Sequence, residues 1–81
     1  MAKPFKDYHS HHELADFGAA IRELRLKKGI SQEALADLAG IDRSYMGGIE
    51  RGQHNVALIN IKKIADSLEV SISDLMNLAD L

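Results

Sequence analysis

At 81 residues the chain is one domain, close to the lower size limit for a self-sufficient core, and it contains no cysteine. That composition excludes a disulfide framework, a thiolate metal site and a catalytic thiol. No apolar run nears the ~20 residues that cross a bilayer, and MAKPFKDYHSHH lacks the apolar stretch of a signal peptide, so the expected location is the cytoplasm. The net charge of −2 hides an uneven distribution: residues 22–63 hold eight Lys/Arg against five Asp/Glu, whereas residues 64–81 hold four acids and no base.

Residues 1–11 mix Pro, His, Lys and aromatics without a period and read as a flexible N-terminal arm, leaving 12–81 as the folded domain. Leu14, Phe17, Ile21, Leu24 and Lys28 recur at helical spacing and predict a first helix from about His12 to Lys28, stopped by Gly29. Ser31 suits the N-cap of a second helix running to about Leu38, and Asp42 that of a third running to about Glu50 and ended by Gly52. Leu58, Ile61, Ile64, Ala65 and Leu68 mark a fourth helix, and Ser71–Asp74 opens a short fifth. No segment alternates with period two for long enough to form a sheet. The expected fold is all-α with five helices.

Residues 31–51, SQEALADLAGIDRSYMGGIER, carry the most specific pattern. Leu35, Ala36, Ala39, Ile41, Met46 and Ile49 fall where two helices joined by a short glycine turn bury side chains, the pattern of a helix-turn-helix made by helices 2 and 3. Ala36 is small where the helices meet, and Gly40 supplies the left-handed turn. Gly47 and Gly48 are unusual, because each glycine inside a helix costs about 1 kcal/mol relative to alanine. Close approach of the helix backbone to a duplex explains them, and close packing between helices or local tolerance is the competing explanation.

RELRLKKGISQEALADLAGIDRSYMGGIERGQ followed by IKKIADSLEVSISDLM resembles the Cro/phage-repressor class, the XRE-type regulators, over about three-quarters of the chain. Within that class, DRSYMGGIERGQHNVAL is similar to the controller proteins of restriction–modification systems. The resemblance implies a lambda-repressor-like DNA-binding domain whose third helix enters the major groove of double-stranded operator DNA, as a homodimer on a pseudo-palindromic site. The expected base-reading positions are Arg43, Ser44 and Tyr45, with Gly47 and Gly48 along the same helix; a phosphate contact for Arg43 and packing of the Tyr45 ring against a neighbouring helix are the alternatives. The expected phosphate contacts are Gln32, Asp42, Arg51, Gln53, His54 and Asn55, with capping of the following helix as the alternative for Asn55. The resemblance also implies a partly buried salt bridge between Arg25 and Glu50. Ile59, Leu75, Met76, Leu78 and Leu81 are more apolar side chains than so small a domain hides, and are the expected dimer seam.

A different class of function, an antitoxin or interaction module whose main partner is another protein, draws on the same apolar C-terminal residues. An enzyme is the weakest reading. His9, His11 and His12 form an H-x-H-H cluster, but the spacing matches no closed zinc site, and no nucleophile–base constellation or phosphate-cradling loop is present. Neither a metal nor a cofactor is expected. A chain this short has no room for a sensor domain, so no small-molecule ligand is expected, and concentration-dependent dimerisation is the expected switch.

Overall fold

A computed structural model describes residues 12–81. These form α1 (His12–Lys28), α2 (Gln32–Ala39), α3 (Arg43–Glu50), α4 (Leu58–Ser67) and α5 (Ile72–Leu78), with no strand among the described residues. The fold is all-α, as the periodicity predicts. The expected N-terminal arm, with His9 and His11, lies outside the described residues.

Three helices start on a side chain that accepts a hydrogen bond from an otherwise unpaired backbone N–H. Ser31 Oγ accepts from the Ala34 N–H (3.0 Å), Asp42 Oδ2 from the Tyr45 N–H (3.1 Å) and Ser71 Oγ from the Asp74 N–H (2.9 Å). Ser31 therefore stands outside α2, whose range shifts by one residue from the expected one. At α4 the capping position is Ala57, and no side chain accepts a bond there. The turn between α2 and α3 closes with Gly40 N–H donating to Asp37 O and Ile41 N–H to Ala36 O, with Gly40 at φ +66°. The same pair of bonds ends α4 and α5, where Glu69 (φ +60°) and Asp80 (φ +62°) occupy the left-handed position.

The helices enclose one core whose fully buried side chains are Ile21, Leu35, Met46, Ile49, Ile64 and Leu75. In it α1 packs on α3 and α5, α2 on α3 and α4, and α4 on α5. One expectation is corrected. Leu75, anticipated in a dimer seam, is 0% exposed and belongs to the core, because it faces inward from a helix held against both α1 and α4. Leu58, grouped with Ile61, Ile64, Ala65 and Leu68 in the apolar period of α4, differs from Ile64, Ala65 and Leu68 in being 69% exposed, since it begins the helix before the chain has turned into the core. Met76 is half-buried against the core, while Ile59, Leu78 and Leu81 are exposed.

Two features lock α1 to α3 and so fix the orientation of α3. At Gly18 the backbones nearly touch, and a Cβ there would lie 2.6 Å from the Glu50 carbonyl oxygen. Beside it Arg25 makes a two-pronged ion pair with Glu50, Nε to Oε2 at 2.8 Å and Nη2 to Oε1 at 3.0 Å, with both side chains largely buried. Arg25 Nη1 also donates to the Ile30 carbonyl (3.0 Å), so the guanidinium closes the end of α1 as well. No described buried side-chain nitrogen or oxygen is left without a partner.

Candidate nucleic-acid interface

The Asp42 cap sets where α3 begins, and the first residues of that helix are its solvent-facing end. Asp42, Arg43 and Ser44 are exposed and Tyr45 is half-buried, whereas Met46 through Glu50 are buried. Only the N-terminal end of α3 is thus free to meet a large partner, and it carries an arginine and a hydroxyl. Arg43 is anchored on α2: Nη1 lies 3.3 Å from Glu33 Oε2 and Nη2 3.3 Å from Asp37 Oδ2. The hydrogen bond to Asp37, with the charges of Asp37 and Glu33, holds the guanidinium pKa above its ordinary value. Glu33 and Asp37 escape a motif-based reading; their i, i+4 spacing, which places both on one face of α2, is the signal that could have found them.

Gln32, at the start of α2, converges with the far end of α3. A Cβ on Gly47 would lie 3.1 Å from Gln32 Oε1 and 3.0 Å from Arg51 Nη1, and Arg51 Nε in turn donates to Gln53 Oε1 (3.3 Å). Gln32, Arg51 and Gln53 therefore form one polar cluster beside the buried glycine. The neighbouring notch at Gly48 is filled by the His54 imidazole, which also packs against Tyr45 with ring centroids 4.8 Å apart and planes at 44°. This corrects the expectation that Gly47 and Gly48 expose backbone to a duplex. Both are buried, and their missing side chains make room for Gln32, Arg51 and His54. Tyr45 packs partly against the core and partly on His54.

Asp42 also differs from expectation. Its carboxylate is engaged as the α3 cap and would repel a phosphate rather than bind one, so it serves the helix and not the ligand. Asn55 is exposed and does not cap α4. It lies at an apolar cleft with Leu14, Phe17, Val56, Ile61 and Leu81. Among the described residues no group of three His, Cys, Asp or Glu is placed to hold a metal ion, and no helix is long and apolar enough to cross a membrane.

The surface thus joins an arginine at a helix N-terminus, a tyrosine–histidine pair, and a glutamine–arginine–glutamine cluster across a helix-turn-helix. The helix-turn-helix family model matches residues 21–75. The chain belongs to that family of DNA-binding transcriptional regulators. Over 62 residues it is 45% identical to the control protein C.BamHI of Bacillus amyloliquefaciens, covering 75% of this chain and 76% of that protein. Over 62 residues it is 39% identical to the control protein C.MunI of a Mycoplasma species, covering 75% of this chain and 84% of that one. Among solved structures, the restriction–modification controller protein C.AhdI of Aeromonas hydrophila superposes with a TM-score of 0.78 at 54% identity, over 80% of this chain and 98% of that one.

Proposed function

We propose that this regulator is the controller protein of a restriction–modification system, binding a pseudo-palindromic operator as a homodimer. The observation that carries the reading is the presentation of Arg43 and Ser44 at the only exposed end of α3, in a chain similar along most of its length to control proteins. In this reading α3 enters the major groove. Arg43 donates two bonds to guanine O6 and N7, Ser44 adds an adaptable contact, and Tyr45 presents its hydroxyl beside them. Gln32, Arg51, Gln53 and His54 lie along the backbone of the same half-site and fix its register. Ile59, Leu78 and Leu81, joined by Leu58, supply apolar surface for a two-fold seam, so that two recognition helices sit about 34 Å apart.

The test is selection of bound duplexes from a random pool, followed by footprinting. The expected product is a site with two inverted half-sites about one helical turn apart, protected by a species of twice the chain mass. Recovery of no preferred sequence would overturn the reading. Capture of a stable heterocomplex in place of a footprint would favour the alternative of a protein-binding module, for which the exposed apolar residues are equally suited.

A further inference from the structure

We infer that Glu33 and Asp37 are specificity-determining positioning residues: they hold Arg43 in an internal pair that the two acceptors of one guanine replace, and so they suppress binding to duplexes that lack it. The inference rests on the assignment of Arg43 to base reading.

The geometry is an exchange. Arg43 Nη1 and Nη2 each reach one carboxylate, at 3.3 Å, and a guanidinium bridging guanine O6 and N7 needs the same pair of donor positions. All three side chains are more than half exposed, at 59% for Arg43, 69% for Glu33 and 64% for Asp37. An ion pair in that setting is screened and weak, so it opens when a better set of acceptors arrives. The contrast is Arg25–Glu50, buried and two-pronged, which is built not to open. On a duplex without the correct guanine, Arg43 stays with its carboxylates and adds no phosphate contact. The carboxylates, placed on the face that meets a polyanion, add repulsion that no base contact offsets. On the correct duplex two bonds replace two, and the difference between the two duplexes widens.

The experiment is a mutant cycle read by fluorescence anisotropy. The probes are the duplex selected by the wild-type protein and a scrambled duplex of the same length and composition. Glu33→Gln with Asp37→Asn is expected to raise affinity for the scrambled duplex by about tenfold, to change affinity for the selected duplex much less, and to steepen the scrambled-duplex salt dependence by roughly one phosphate contact. In an Arg43→Ala background the same two substitutions should raise scrambled-duplex affinity by only about threefold, the part due to carboxylate repulsion alone. Asp74→Asn with Asp80→Asn, which removes the same charge from α5 and the residues just after it, is the control and should leave the ratio between duplexes intact. Equal effects with and without Arg43, or the same effect from the Asp74 and Asp80 pair, would overturn the inference and leave the assignment of Arg43 standing. If Arg43→Ala alone leaves the preference for the selected duplex intact, the assignment itself falls, and the inference with it.

Discussion

Arg43 carries five N–H donors on a rigid plane, and the major-groove edge of guanine offers two acceptors within reach of two of them. Replacing Arg43 with alanine should therefore cost about 1–3 kcal/mol per half-site and relax selection at a single base pair of each. Arg51, clustered with Gln32 and Gln53 beside Gly47, has no such partner in the proposed complex. Arg51→Ala should weaken operator and scrambled duplexes about equally and reduce the salt slope by about one charge per subunit. Titration of anisotropy against salt separates the two outcomes. A third residue-scale expectation concerns the end of α1, where Lys28 Nζ donates to Glu69 in the turn after α4. This hydrogen bond and the lysine charge hold the Glu69 carboxyl below its ordinary pKa. A depressed carboxyl stabilises the fold above its unfolded-state pKa and loses that contribution as pH falls through the folded-state value. Carbon-detected NMR should find Glu69 titrating below ordinary glutamate, and Lys28→Ala should return it to the ordinary range. Both groups are solvent-exposed enough that the effect on overall stability is small.

At the scale of elements, the orientation of the recognition helix is set from behind, by α1. Gly18 lets the two backbones approach, and Arg25–Glu50 ties the end of α3 to the end of α1. Removing one partner leaves a charge buried without its counterpart, so Arg25→Ala or Glu50→Ala should destabilise by about 3–5 kcal/mol in urea unfolding. Replacing both residues with apolar side chains of similar volume should recover most of that loss, because the desolvation of the pair offsets much of its attraction. How much of this was legible in the sequence follows from the range of each interaction. Helix starts were readable because Ser31, Asp42 and Ser71 act on a backbone N–H three positions away. The ends of α4 and α5 carry no such sign, since Glu69 and Asp80 take the left-handed position usually given to glycine. Leu75 and Leu78 are three residues apart on a seven-residue helix, and a period cannot separate the buried one from the exposed one. The roles of Gly47 and Gly48 were hidden for a related reason. What fills their space comes from Gln32 on another helix and from Arg51 and His54 beyond the helix end, and spacing does not report side-chain direction across a turn.

For the whole molecule, the uneven charge of the sequence becomes a division of surfaces. The acidic last segment is carried by the end of α4 and by α5, which packs chiefly on α1 and α4, while α2 and α3 present Arg43 and Arg51 elsewhere. The exposed apolar residues Leu58 and Ile59 open α4, while Leu78 ends α5 and Leu81 follows it, and the two helices pack together. Leu81 shares its cleft with Ile61 and Met76, which continues the apolar surface from one helix to the other. A side chain such as Ile59, 70% exposed, gains up to about 2 kcal/mol if a partner removes it from water. A two-fold axis counts every such gain twice, and it counts a lesion twice as well. Ile59→Glu should therefore place two carboxylates in the seam and raise the dimer dissociation constant by at least about 100-fold, equivalent to nearly 3 kcal/mol. The fold of each subunit should survive, because Ile59 contributes nothing to the core of the single chain. Sedimentation should show a monomer at concentrations where the wild-type protein is a dimer, and the melting temperature should lose its dependence on protein concentration. On DNA the variant should retain the wild-type base preference within a half-site while losing the joint occupation of two. A variant that sediments as the wild type does would remove this face from the interface and leave the DNA-reading surface unaffected.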